Sequence, residues 1–230
     1  MIGVVIPAHN EEACLHACLH AVLEAARHPE LLGEPVRVAV VLDDCSDGSH
    51  AVAIQHPVDV LQVQARNVGA ARAAGARHVL EAGARWLAFT DADTVASPGW
   101  LMAQLRLGAQ AVCGSVEVAD WSPHGDRSQQ VRRHFEQHYR DADGHRHIHG
   151  ANLGVCAQAY QRAGGFEPLA CSEDVALVEA LQRSGATIAW SAAPRVMTSA
   201  RTDARARGGF GDTLRTWAAG PSPVVLSVPR

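Results

Sequence analysis

Two aspartates one residue apart, Asp91 and Asp93, follow the apolar run Trp86-Leu87-Ala88-Phe89-Thr90. The run is long enough for a buried strand. If extended geometry continues through the pair, both carboxylates point to one side. Like charges aimed at one spot repel unless a cation lies between them. Oxygen ligands suit a hard divalent ion, Mg²⁺ or Mn²⁺, which readily shares its coordination with phosphate oxygens. An isolated Asp-x-Asp is more often a solvated turn with an aspartate cap. The reading therefore depends on what else the chain brings to the same place.

The elements that would position these residues alternate between strand and helix. Ile2–Ile6 reads as a strand, and Leu15, Cys18, Leu19, Val22, Leu23 and Ala26 give the spacing of an amphipathic helix after it. Asn10 is expected as its N-cap, with Glu11 and Glu12 complementing the positive helix end. Val36–Leu42 reads as a second strand, followed by the polar turn Asp43-Asp44-Cys45-Ser46-Asp47-Gly48-Ser49. A short helix near His50–Gln55, a strand near Val58–Val63 and a small-residue helix from Asn67 to about Glu81, ended by Gly83, complete the alternation. Such alternation predicts a parallel sheet wound with helices. Ligands bind such sheets at the strand carboxyl ends. Asn10, Asp43, Asp44, Asp47, Asp91 and Asp93 are thus predicted to face one cleft.

The second half is less regular. Pro98 and Gly99 open a helix to about Leu107, and Ala111–Val118 reads as a strand. Asp120 to Gly144 is polar, rich in Arg and His, and amphipathic near Gln129–Tyr139; it resembles an insertion over a cleft. His145, His147 and His149 alternate as on one strand face, available to a metal or an acceptor, or simply hydrogen-bonded. Ser172, followed by Glu173 and Asp174, is placed to cap a helix carrying Val175, Leu177, Val178 and Leu181. Ile188-Ala189-Trp190 is a late strand, Arg201 to Arg215 is rich in Arg and Gly, and the tail from Gly220 reads as extended.

A length of 230 residues suits one domain with a sizeable core. The formal charge of −4, without a long basic run, argues against nucleic acid as a partner. The six cysteines are scattered, as expected for free thiols of a reducing compartment. No apolar run approaches about 18 residues. The expectation is a soluble, cytoplasmic protein with no transmembrane segment; peripheral membrane contact and a homodimer are left open.

Taken together, seven segments make the chain resemble the large family 2 of inverting glycosyltransferases, which have the GT-A fold. They are Val5-Ile6-Pro7-Ala8-His9-Asn10-Glu11-Glu12, Leu42-Asp43-Asp44-Cys45-Ser46-Asp47-Gly48, Asn67-Val68-Gly69 with Ala71-Arg72, Thr90-Asp91-Ala92-Asp93, Gly150-Ala151-Asn152, Gly164-Gly165-Phe166 and Ser172-Glu173-Asp174. The resemblance covers roughly Ile2 to Leu181. It implies an α/β fold with a Rossmann-like, mostly parallel central sheet flanked by helices and a smaller acceptor-side region. It implies one domain over 1–230: about 1–95 for the nucleotide, about 96–200 for acceptor and catalysis, and 201–230 as C-terminal loop and tail.

The implied activity is transfer of one sugar from a UDP- or GDP-linked donor to an unidentified acceptor hydroxyl, with inversion. The implied cofactor is Mn²⁺ or Mg²⁺. By the same resemblance Pro7, Ala8 and Glu11 line the pocket for base and ribose, and Asp43 or Asp44 holds the base edge with Asp47 nearby. Arg72 places base or phosphates. Asp93 binds the metal, and Asp91 the ribose or the metal. Asn152 sits beside sugar or acceptor, and Asp174, with Glu173 next to it, is the general base. Three departures from the family pattern stand out. The second turn is one residue tighter, which leaves the Asp43/Asp44 register open. All 13 histidines precede Gly150, so Arg201 and Arg205 are candidates for the diphosphate instead of a late histidine. The Gln-x-x-Arg-Trp signature of processive enzymes is absent. The alternatives are a sugar nucleotidyltransferase, or an inactive nucleotide-binding protein of the same fold.

Overall fold

The structure, a computed structural model, describes residues 1–169, 171–202 and 210–219. Its elements in chain order are β1 (Ile2–Ala8), α1 (Glu12–Ala25), β2 (Val36–Asp43), α2 (Ser49–Ala53), β3 (Asp59–Val63), α3 (Val68–Glu81), β4 (Trp86–Phe89), β5 (Thr94–Ala96), α4 (Trp100–Arg106), β6 (Ala111–Gly114), α5 (Ser128–His138), β7 (Leu153–Cys156), α6 (Ala157–Arg162), α7 (Glu173–Arg183), β8 (Ile188–Ser191), β9 (Val196–Thr198) and α8 (Phe210–Ala219). The expected α/β, mostly parallel sheet is present. Seven strands run in the order β3-β2-β1-β4-β7-β6-β8, with β7 antiparallel to both neighbours. A two-stranded antiparallel sheet, β5 with β9, lies apart from it.

The order places β1 between β2 and β4. Ala8 pairs with Leu42, and Val5 with Phe89, so the turns leaving these three strands emerge side by side. All seven residues of β1 are buried, as a central strand covered on both faces requires. Its side chains alternate. Val4 and Ile6 pack with Leu15, Leu19 and Val22 of α1, while Val5 packs with Ala71, Ala76 and Val79 of α3. Each of the fully buried leucines of α1 contributes about 1.5–3 kcal/mol by leaving water. A third cluster, Trp121, Val131, Phe135, Ala200 and Leu214, joins α5 to α8 outside the two main layers. No helix among the described residues is long and apolar enough to cross a membrane.

Several local expectations are corrected. Asn10 is not the cap of α1: it adopts φ 56°, Glu11 precedes the helix without a side-chain cap, and the first N–H groups are met from another turn. Glu11 N–H donates to Ser49 Oγ at 2.8 Å, and Glu12 N–H to Asp47 Oδ2 at 3.0 Å. Glu12 Oε2 in return accepts the N–H of Gly48 at 2.9 Å, and Asn10 Oδ1 that of Ser46 at 2.8 Å. The β1 and β2 turns thus cap each other. Ser172 precedes α7 in a left-handed conformation, φ 59°, with no side-chain cap. The fourth helix is confined to Trp100–Arg106, β6 ends at Gly114, and no strand spans His145 to His149.

Helix α3 lies close to the sheet because Gly75 has no side chain: a Cβ there would collide with the methyl groups of Val5 and Val41. Gly75→Val is therefore expected to lower the unfolding free energy by about 1–3 kcal/mol. A lower urea midpoint at unchanged m-value checks it.

Candidate functional site

At the carboxyl end of β4 the chain turns, and Asp91 and Asp93 do not share one direction as continued strand geometry would require. Asp91 Oδ1 meets Arg72 Nη2 at 2.5 Å, while Asp93 Oδ2 lies 3.2 Å from Arg201 Nη2. Arg201 also holds both carboxylate oxygens of Glu11, at 2.6 and 2.7 Å. Arg72 pairs through Nη1 with Glu173. Four carboxylates from three distant segments are thus strung on two guanidinium groups, in the sequence Glu11, Arg201, Asp93, then Asp91, Arg72, Glu173. Asp93 also feels the charges of Asp91 and Glu11.

The two arginines differ in setting. Arg72 is 3% exposed, its guanidinium lies 5.6 Å from the centre of the Phe166 ring, and a Cβ on Gly150 would strike it. Its two terminal nitrogens are taken up by Asp91 and Glu173. It joins the β4 turn to the start of α7. Arg201 is about a fifth exposed and comes from the segment after β9. Arg205 lies outside the described residues.

Burial governs the protonation of the acids. Asp93 is pushed up to about 6, chiefly by burial and against the attraction of Arg201, with Asp91 and Glu11 adding repulsion. Glu173 is also pushed up by burial, against the pull of Arg72. Asp174, the next residue, is differently placed: its Oδ2 accepts the N–H of Gly150 and its Oδ1 that of Val175, both at 2.8 Å. Each oxygen keeps a second lone pair.

The remaining predicted residues divide. Pro7 and Ala8 end β1 and are buried, and Ala8 C=O accepts from Cys45 Sγ. Asp43 is buried, and its carboxylate accepts the backbone N–H groups of Ala65, Arg66 and Asn67 at 2.7–2.8 Å. Its neighbour Asp44, φ 51°, is about a third exposed and pairs with Arg66. Asp47 closes the clasp between turns. Although burial works against its charge, the Ser49 hydroxyl and the Glu12 N–H hold it below the usual range. Asn152 is fully buried: Oδ1 accepts from Trp100 Nε1 at 2.9 Å, and Nδ2 donates to Ser115 C=O and Pro194 C=O at 2.7 and 2.9 Å. With these bonds made, its side chain ties α4 to the loops of Ser115 and Pro194.

The histidine triad is not a metal site. A neutral imidazole has one lone pair. In His145 that pair, on Nδ1, accepts the N–H of His147 at 3.1 Å; in His147 it accepts the N–H of Arg140, on Nε2, at 2.9 Å. The sequence assigned no role to Ser49 or Tyr139. Ser49 gave no signal beyond its turn; Tyr139 sat at the end of a helix with an apolar stripe.

Among the described residues no three His, Cys, Asp or Glu side chains form a ready-made metal cage. The acids nonetheless fit a hard ion that keeps several waters and takes one or two carboxylates plus phosphate oxygens. Asp93, buried beside Asp91 and Glu11 with its proton affinity raised, is a carboxylate that favours a cation.

The sequence of residues 3–163 matches the model of Glycosyl transferase family 2. No curated protein matches it. Similar solved structures include the mannosyltransferase PcManGT of Pyrobaculum calidifontis in complex with GDP-Man and Mn²⁺ (TM-score 0.65, 17% identity, 89% of this chain and 58% of that one). Residues 1–349 of S. aureus TarS in complex with UDP-GlcNAc give 0.63, 13%, 95% and 65%. GalNAc-T7 with UDP, GalNAc and Mn²⁺ gives 0.64, 14%, 87% and 44%. At these identities the likeness concerns the fold, and the chain spans less than two thirds of each relative.

Two outcomes are expected from the charge arrangement. Replacing Arg72 by Met strands Asp91 and Glu173 and should cost about 3–5 kcal/mol in chemical denaturation; adding Glu173→Gln should recover part of it. For Asp93, the folded-state value of about 6 exceeds the ordinary 3.8. The native state therefore holds the proton more tightly, and stability falls as pH rises from about 4 to 6. Asp93→Asn should gain up to about 3 kcal/mol at pH 7–8, and the gain should vanish near pH 4. Melting curves across that range check the sign.

Proposed function

The chain belongs to glycosyl transferase family 2 and has the GT-A fold, and from that premise we propose that it moves one sugar from a nucleoside-diphosphate sugar to an acceptor hydroxyl, with inversion and a divalent ion at the diphosphate. The observation that carries the reading is the gathering of Glu11, Asp91 and Asp93 at the edge where β1, β2 and β4 end. Asp174 lies next to the same network through Arg72 and Gly150. UDP and GDP are the donor nucleotides to try, since similar structures hold them.

Within this reading residues 1–95 bind the nucleotide and 96–200 the acceptor. Pro7, Ala8 and Glu11 border the base and ribose. Asp44 is the better candidate for the base edge, because Asp43 is already satisfied by three backbone donors. Asp93, with Asp91, would hold Mn²⁺ or Mg²⁺. That ion, when bound, offsets charge developing on the leaving diphosphate. Arg201, which now neutralises Asp93 and Glu11, is placed to turn its guanidinium to the diphosphate.

Asp174 is the base. Its carboxylate takes the proton of the acceptor hydroxyl as that oxygen attacks C1. The bond from C1 to the phosphate oxygen breaks with its electron pair leaving on the diphosphate. Attack opposite the leaving group inverts C1 in one step and needs one carboxylate, unlike the flanking pair of glycosidases. Glu173, tied to Arg72 and buried, is the positioning residue.

Binding stabilises the native state by mass action. In a thermal-shift screen UDP or GDP should raise the melting temperature with Mn²⁺ and much less without it, and Asp93→Ala should abolish the difference. With a donor so identified, Asp174→Asn should keep donor binding and lose about 10²–10⁴ in transfer rate. Full activity in that variant would remove Asp174 as base, and pyrophosphate as product would point to a nucleotidyltransferase.

A further inference from the structure

One side chain beside the acidic line has no role in this scheme. His149 directly precedes Gly150, whose N–H holds Asp174, and it lies within electrostatic reach of Asp91. Its ring is half-buried, edge-on to Phe210 of α8, stacked on His147 and tilted against Tyr139. Its Nε2 is 3.0 Å from the Tyr139 hydroxyl, and that hydroxyl is also 2.7 Å from the backbone nitrogen of Val116.

The bond chain has a fixed direction. A backbone N–H only donates, so the Tyr139 oxygen accepts from Val116. The phenol has one proton, and His149 Nε2 is the acceptor within reach. The reverse tautomer would leave the proton of a largely buried phenol unpaired, at a cost of about 1–3 kcal/mol. Nε2 therefore carries the lone pair and Nδ1 the hydrogen. Burial, then His147 and His145, push the ring down to about 3, so it stays neutral near pH 7. Among the described residues its Nδ1–H meets no protein acceptor, and the half-buried ring lies near Asp91 and one residue before the Gly150 N–H that holds Asp174.

We propose that His149 is a substrate-binding residue, held by Tyr139 as the Nδ1–H tautomer so that it donates a hydrogen bond to a hydroxyl oxygen of a sugar. The inference rests on the donor reading above and adds a specificity contact to it. The hydroxyl belongs either to the sugar being transferred or to a sugar acceptor; both offer the same oxygen lone pairs. A neutral donor suits this position. An imidazolium there would compete with the divalent ion for Asp91, whereas a neutral N–H orients a hydroxyl without adding charge.

The test combines a tautomer measurement with binding. In protein labelled with ¹⁵N-histidine, the ring nitrogens of His149 should show a protonated Nδ1 and a bare Nε2, and Tyr139→Phe should release the mixture of tautomers. A protonated Nε2 in the wild type would overturn the proposal without reference to any ligand. Binding is then measured by calorimetry with Mn²⁺ for UDP against UDP-N-acetylglucosamine, GDP against GDP-mannose, and methyl β-D-glucoside added to the UDP complex. An asparagine amide can replace the Nδ1–H donor, and phenylalanine keeps the stack without it. His149→Phe should weaken the sugar-bearing ligand about tenfold, the worth of one neutral hydrogen bond. It should leave the nucleoside diphosphate within about twofold, while His149→Asn stays near wild type. Loss on the nucleotide sugar places the contact on the donor, and loss on the glucoside places it on the acceptor. Equal behaviour of the Phe variant and the wild type, where a sugar binds, sinks this proposal alone. Failure of all nucleotides to bind the wild type sinks the donor reading and this contact with it.

Discussion

Carboxylates of one sign cannot be gathered at a sheet edge without cations, and that requirement organises this protein. Glu11, Asp91, Asp93 and Glu173 come from segments far apart in the chain, and two arginines hold them together. The arginines are not equivalent. Arg72 is sealed between α3, the β4 turn and α7, so removing it leaves the buried Glu173 without its counter-charge. Arg201 arrives on a peripheral segment and remains partly exposed. The base side of the line is therefore built in, whereas the charge on the other side can be exchanged for an incoming cation.

The same logic of distant partners holds the turns. Helices usually satisfy their first N–H groups with a residue just before them. Here α1 takes its caps from Asp47 and Ser49 of the β2 turn, and the N–H groups there are met by Glu12 and Asn10. Polar residues that look like ligands in the sequence are spent on fixing two loops against each other. This leaves Asp44 and the ends of β1 as rigidly placed walls.

What the sequence disclosed follows from this division. Strands and helices were legible because their periodicity is local: Val4, Ile6, Leu15, Leu19 and Val22 repeat at the spacing of the layer they bury. Glu11, Asp91 and Asp93 were legible because they follow strands of a parallel sheet, and Glu173 and Asp174 because they open a helix. Their partners were not. Asn152 reads as a polar residue in a glycine-containing turn, and only the fold shows Trp100, Ser115 and Pro194 consuming its amide. Arg72 reads as a helix residue that places base or phosphates, and only the packing of α7 against α3 shows it paired with Asp91 and Glu173. Asp43 and Asp44 are adjacent acids with opposite fates, decided by the backbone of Ala65 to Asn67 curling onto one of them.

The polar segment from Asp120 to Gly144 shows how such context reaches the chemistry. Its composition suggests a solvated insertion, yet Val131 and Phe135 anchor α5 on Trp121 and Leu214 in a core of their own. That core ends at Tyr139, whose hydroxyl is pinned by Val116 and in turn fixes which nitrogen of His149 bears hydrogen. A covering element far from the acids in sequence therefore sets the hydrogen-bonding sense of a ring next to them. Shape alone does not require this. A phenylalanine at 139 would fill the same space, but it would leave the imidazole indifferent between two tautomers, only one of which presents a donor at Nδ1.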